Sequence, residues 1–197
     1  MKRLNNKLKL SVSMIALMCG GGLATSPALA LTYTGDETGV VIGSNLAEDL
    51  IVSSTGSITP DGLLVNASVT GDLTNAGLIE QIDSGTATSS SDLDIEVIAI
   101  DFNGSLGGDF VNSGIIKADA SASVDYAVTG NGVYSNDVTA SASGMDINSV
   151  TGDVTNSGTI SAVASSELVS SFGTATTPVT SISISDCLLY TSDAADE

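Results

Sequence analysis

Histidine and tryptophan are absent from this 197-residue chain; only five residues are basic, two are cysteine and three are proline. Without histidine, neither a Ser-His-Asp nor a Cys-His nucleophile can be assembled. A zinc site of the His/Cys type is excluded for the same reason. The scarcity of Lys and Arg removes the phosphate contacts on which nucleic-acid binding depends. The glycine-rich strings GGDF (107–110) and GNGVYSND (130–137) are turns that lack the lysine and following helix of a phosphate-cradling loop. Long Leu/Glu/Lys runs are missing as well, so no amphipathic helix is expected after Ala30. Two cysteines do not make a disulfide framework, and burial and backbone pairing must hold the fold instead.

What charge there is divides sharply. Lys2, Arg3, Lys7 and Lys9 lie in the first nine residues, Lys117 is the fifth base, and all 23 acidic residues follow position 30. The start explains the division. MKRLNNKLK is a basic segment, LSVSMIALMCGGGLA an apolar one, and TSPALA ends on the small residues Ala28 and Ala30. These are the three parts of a secretory signal peptide over residues 1–30, with cleavage expected after Ala30. The alternative, an uncleaved anchor, needs ~18–20 apolar residues, and this run is shorter and interrupted by Gly20, Gly21 and Gly22. Lipid attachment at Cys19 lacks the small preceding residue, because Met18 stands there. The remaining body carries one lysine against 23 acids, a formal charge of −22, and repels nucleic acid and anionic lipid. The body beyond Ala30 is expected to be exported.

The last residues, CLLYTSDAADE (187–197), share neither the texture nor the alternation of the body. The string resembles the translation of a transposase-type sequencing adapter along its whole length. The expectation is that residues 187–197, with Cys187, are an artefact, and that the natural chain continues past Asp186.

The body repeats itself. VTGDLTNAGLIEQI (69–82), LGGDFVNSGIIKAD (106–119) and VTGDVTNSGTISAV (150–163) share Gly-Asp, an apolar residue, Thr or Val, Asn, a small residue and Gly. The aspartates, Asp72, Asp109 and Asp153, are spaced 37 and 44 residues apart. ASASV (120–124) after the second core resembles ASASG (140–144) before the third. A constant core at variable spacing predicts a solenoid with loops of variable length over residues 31–186. Alternation agrees: Leu93, Ile95 and Val97 share one face of a strand, and Asp92, Asp94 and Glu96 share the other. Asn156 and Gly158 are read as a corner, with Asn and Gly supplying positive-φ turns.

The expected fold class is all-β, a parallel β-helix. A coil of ~20 residues fits about twice into each interval. Matching Asn residues are then two coils apart, with Asn103, Asn136 and Asn148 as intermediates. The aspartates fall ~10 Å apart, and each pair repels by roughly 0.4 kcal/mol in water. One lysine makes surface ion pairs almost impossible. Open coil ends expose strand edges, so the fragment alone is expected to be marginal or to aggregate.

GDLTNAGLI, GDFVNSGII and GDVTNSGTI, together with the signal peptide, low cysteine and scarce aromatics, resemble the N-terminal part of an autotransporter passenger. These are the exported regions of type V secretion proteins of Gram-negative bacteria. The resemblance implies a right-handed parallel β-helix and a C-terminal β-barrel translocator in the outer membrane, which this sequence does not contain. It implies export across the inner membrane to the cell surface, the outer membrane or outside the cell, and a host or neighbouring-cell surface ligand as partner.

The chemistry rests on carboxylates. Asp92, Asp94 and Glu96 stand ~6.6 Å apart along one strand face, a separation that suits acid/base work on a glycosidic bond. Some polysaccharide-cleaving enzymes are β-helices, but those that act on acidic sugars need cations, and only Lys117 is at hand. A solvated strand face is the plainer reading. LGGDFVNSG holds part of the Gly-Gly-x-Gly-x-Asp calcium repeat but is not tandem. No catalytic, cofactor-binding or metal-ligating residue is therefore assigned. The expected function is a non-enzymatic surface stalk with an adhesion or cell-contact role. The alternatives are a piece of a secreted carbohydrate-active β-helix, or a purely structural secreted repeat protein.

Overall fold

The computed structural model describes residues 30–88, 92–128, 137–172 and 181–185, with side chains over 30–88, 92–125 and 138–167. Residues 1–29, with the signal segment and Cys19, lie outside the described residues, as do Asn136, Cys187 and the 187–197 tail. Thr, Val, Ile and Ser dominate the body and favour extended backbone; no helix occurs among the described residues. The strands form coils of three. The first coil is β1 (Ala30–Tyr33), β2 (Asp36–Glu37) and β3 (Val40–Ile42); the second is β4 (Asp49–Val52), β5 (Ser57–Ile58) and β6 (Leu63–Val65). The third is β7 (Leu73–Asn75), β8 (Leu78–Ala87) and β9 (Leu93–Leu106). The fourth is β10 (Phe110–Asn112), β11 (Ile115–Val128) and β12 (Asp137–Val150), and the fifth is β13 (Val154–Asn156), β14 (Thr159–Phe172) and β15 (Ser181–Ser185). Each strand pairs in parallel with its counterpart one coil away, which gives three five-stranded sheets and the all-β parallel solenoid expected.

Register puts like residues in columns. Leu31, Leu50, Leu73, Phe110 and Val154 stack in the first sheet. Ile58, Ile79, Ile116 and Ile160 stack in the second, and Val40, Leu63, Ile100 and Met145 in the third. Leu50, Ile58, Leu73, Ile79, Ile100, Phe110 and Ile116 are fully buried. Each such side chain contributes ~1.5–3 kcal/mol relative to exposure. Val154 is half-buried because its strand is the outermost of its sheet.

The register corrects the expected coil size. Leu73 pairs with Phe110, and Phe110 with Val154, so each repeat interval is one coil and not two. The extra residues do not make a second turn. They lengthen two sides of the same turn: β5 and β6 have two and three residues, whereas β11, β12 and β14 have fourteen each. Beyond the triangular core these long strands run on as two facing layers, a fin. Ala118, Ala120, Ala122 and Val124 of β11 and Val138, Ala140 and Ala142 of β12 are buried between the layers. Such small side chains bring the layers close. A Cβ at Gly85 would press on Leu93 and Ile95 across the fin, and one at Gly144 on Ile160. ASASV and ASASG are thus opposite walls of the fin rather than a displaced repeat.

Candidate functional site

The Gly-Asp-apolar-x-Asn-small-Gly core occupies one edge of the solenoid, and the structure accounts for each of its positions. The Asp backbone N–H donates to the carboxylate of the coil below. Asp72 N–H reaches Asp49 Oδ1, Asp109 N–H reaches Asp72 Oδ1 and Asp153 N–H reaches Asp109 Oδ1, each at 2.9 Å. The aspartates therefore stand one strand apart, ~4.8 Å, and not ~10 Å. Adjacent pairs then repel by about 0.9 kcal/mol in water. An amide donating to a charged acceptor contributes about 1.5–3 kcal/mol, so the column survives its own charge. The residue after Asp (Leu73, Phe110, Val154) points to the core.

Asn closes the strand with its side chain inward. Asn75 Nδ2 donates to Asn112 Oδ1 at 2.8 Å, and Asn112 Nδ2 to Asn156 Oδ1 at 2.7 Å. Asn75 and Asn112 are fully buried. Their main-chain carbonyls also serve the next coil: Asn75 O accepts from Ser113 N–H and Gly114 N–H at 2.8 and 3.1 Å, and Asn112 O accepts from Ser157 N–H and Gly158 N–H at 2.8 and 3.1 Å. The ladder replaces the expected two-coil separation with direct contact. Asn103 belongs elsewhere: its Nδ2 donates to Asn66 Oδ1 at 3.1 Å on the outside of the third sheet. Asn148 lies at an irregularity where β9 and β12 shift register, between Ile147 and Ser149.

The glycines act by close approach rather than by turn geometry. Among the described residues only Gly62 has positive φ, at 66°, and no Asn does. A Cβ at Gly114 would run into the Gly77 carbonyl oxygen, and one at Gly158 into that of Gly114. At Gly108 and Gly152 it would meet the carboxylate of the coil below. The corner reading of Asn-Ser-Gly holds, but the residue types answer to the neighbouring coil.

Asp92, Asp94 and Glu96 project to solvent beside the inward Leu93, Ile95 and Val97, as the alternation requires. Where the small second coil meets the large third one, a step leaves a cavity of about 240 Å³. Asp61, Gln81, Glu96 and Asp101 form its polar rim, and Leu64 and Ile98 its apolar wall. Gln81 Oε1 accepts from Ile98 N–H at 3.1 Å and joins the two layers there. Sequence alternation could not have found this step, because it follows from the change in coil length. Among the described residues no group of three or more His, Cys, Asp or Glu side chains is placed to hold a metal ion.

Lys117 makes the ion pair that composition argued against. Its Nζ lies 2.7 Å from Glu80 Oε1 and 3.8 Å from Asp119 Oδ2. The register, which sets Lys117 of β11 opposite Glu80 of β8, brings them together. The Lys117 hydrogen bond holds the Glu80 carboxyl below its ordinary range, and the same bond holds the Lys117 ammonium above its own. Burial, with the Glu37 charge nearby, raises the Tyr33 phenol. Compared with known protein families, curated proteins and solved structures, the chain matches none.

Proposed function

We propose that this chain is part of an exported cell-surface passenger of the autotransporter kind. It serves as a non-enzymatic stalk that holds its fin loops out for adhesion or cell contact. The observation that carries the reading is the side-chain ladder Asn75–Asn112–Asn156 beside the column Asp49–Asp72–Asp109–Asp153. Investment of the repeated polar residues in coil-to-coil bonds supports a load-bearing rod. The outward carboxylates, spread along strands and columns, support a solvated surface. The fin supports the display role, because the long strands β8, β9, β11, β12 and β14 carry it beyond the triangular core.

A second reading, part of a secreted carbohydrate-active protein, draws on the step cavity, where Asp61, Glu96 and Asp101 face a concave surface. Against it, Lys117 is committed to Glu80 and offers no cation there.

The test is protease treatment of intact Gram-negative cells that express the uninterrupted reading frame, with an antibody against residues 31–186. Loss of the antigen from intact cells, with a periplasmic marker preserved, supports the stalk. An antigen protected until the cells are lysed overturns it. Release of reducing sugar from polysaccharides by the purified chain, abolished by Glu96→Gln, would favour the second reading.

A further inference from the structure

The fin begins abruptly at the third coil. β5 lies beneath β8 only at Leu78 and Ile79, and β6 lies beneath β9 only at Ile100, Asp101 and Phe102. The turn of the second coil extends this cover a little. Gly62 N–H donates to Glu80 O at 3.1 Å, Ile82 N–H donates to Pro60 O at 2.9 Å, and a Cβ on Gly62 would press on the Ala99 carbonyl. Among the described residues no strand runs beneath Leu93–Ile98 of β9, although β12 pairs with that stretch from above. This edge is internal to the solenoid. The complete second coil lies below it and is too short to reach along it, and coils added beyond β13 leave it open. Its inner face offers the half-buried Leu93 and Ile95, and its outer face the exposed Asp94 and Glu96. The step cavity of about 240 Å³, with Asp61, Glu96 and Asp101 on its rim and Leu64 and Ile98 on its wall, closes the end nearest the core.

We propose that the Leu93–Ile98 edge is a docking site for an extended basic segment of a partner protein, in which Lys or Arg alternates with aliphatic residues. A row of open backbone groups at strand spacing is matched by an extended polypeptide rather than by a small ligand. Period two then turns one face of that segment toward Leu93 and Ile95, where aliphatics fit. It turns the other toward Asp94 and Glu96, where cations fit. The neighbouring sheet already holds such a pair: Lys117 of β11 stands beside Glu80 of β8, Nζ to Oε1 at 2.7 Å. The step cavity admits the head of one long basic side chain among Asp61, Glu96 and Asp101, with its stem on Leu64 and Ile98. Neither the body of this chain nor a second copy supplies the segment. Beyond Ala30 there is one lysine, and it is committed to Glu80. An acidic strand laid here would set like charges ~4.8 Å apart. The carboxylates thus bar self-association at this edge and select a cationic partner.

The probe is a fluorescein-labelled synthetic peptide, KVKIKVK, titrated into the full chain at physiological ionic strength and read by anisotropy. Saturable binding is expected. The peptide KKVIVKK has the same charge without the alternation, and should bind on the order of tenfold more weakly. So should KVKIKVK with its backbone amides N-methylated, which keeps the charge and removes the strand pairing. Asp94→Lys combined with Glu96→Lys should weaken KVKIKVK by the same order. Asp36→Lys combined with Asp153→Lys, an equal charge change on other coils, should leave binding unchanged. A photo-crosslinker at the central Ile should capture residues 93–98 or 61–64. If the edge variant loses the parental circular dichroism, the N-methylated peptide on the parental chain decides. Absence of saturable binding overturns the proposal. So does equal binding of the scrambled or N-methylated peptide, equal weakening by the two pairs of substitutions, or crosslinking elsewhere on the chain.

Discussion

Asn75 Nδ2 donates to Asn112 Oδ1 at 2.8 Å across 37 residues of sequence, and both side chains are fully buried. An amide is tolerable inside an aliphatic solenoid only because the neighbouring coil supplies an identical amide in register. Asn112 is donor to Asn156 of the coil above and acceptor from Asn75 of the coil below. The polar residue therefore specifies register as no Val or Leu at that place would: a one-residue slip would leave both amides unpaired.

Replacement of the middle rung should be the costliest change in the ladder. Asn112→Ala leaves Asn156 Oδ1 without its donor and Asn75 Nδ2 with only the Ile115 carbonyl, at 3.3 Å, a loss of about 1–3 kcal/mol. Asn156→Ala, at the half-buried end, takes one acceptor from Asn112 Nδ2, which keeps the Thr159 carbonyl at 3.4 Å, and should cost about 1 kcal/mol or less. Urea denaturation of the two variants checks the order. Equal losses would mean that the amides are not coupled.

Glycine at the corner should be intolerant, and glycine at an open bend indifferent. Gly114→Ala sets a Cβ against the Gly77 carbonyl, while a Cβ at Gly35 or Gly43 meets nothing within 4 Å. Gly114→Ala should lose more than about 2 kcal/mol, and Gly43→Ala should stay within about 0.5 kcal/mol. Comparable melting temperatures for the two variants would contradict the close-approach account.

The Lys117–Glu80 pair should stabilise only within a pH window. Glu80 is shifted down from 4.5, so its contribution is present above that value and is lost as pH falls through its folded pKa. Lys117 is shifted up from 10.5, so its contribution is present below that value and is lost as pH rises through its folded pKa. The stability difference between the parent and Lys117→Met should be greatest between these two values. It should remain under about 1 kcal/mol, since the lysine side chain is 36% exposed. Chemical denaturation at pH 3, 7 and 12, the outer two about 1.5 units beyond the window, reads it; a difference that persists at pH 3 would mean that Lys117 acts through its aliphatic stem.

Alternation alone carried much of the architecture. Leu93, Ile95 and Val97 against Asp92, Asp94 and Glu96 is a period of two, and side chains of an extended chain must then face opposite ways. The recurring Gly-Asp and Asn-Ser-Gly pointed to stacked coils for the same local reason. The number of residues in one coil was not legible. Spacings of 37 and 44 residues fit two short turns or one long one equally well, and only pairing of Leu73 with Phe110 and Phe110 with Val154 chooses the long one.

The sequence by itself determined that the body is extended, anionic, free of histidine chemistry and built on one recurrent corner, because backbone period and residue inventory are local properties. Tertiary structure alone decided that Asn meets Asn, that Asp caps Asp and that the lone lysine of the body finds Glu80. Those contacts span 37 to 44 residues and exist only once the coils have a register. The Ala- and Gly-lined fin takes up the extra length, so one repeat interval makes one turn.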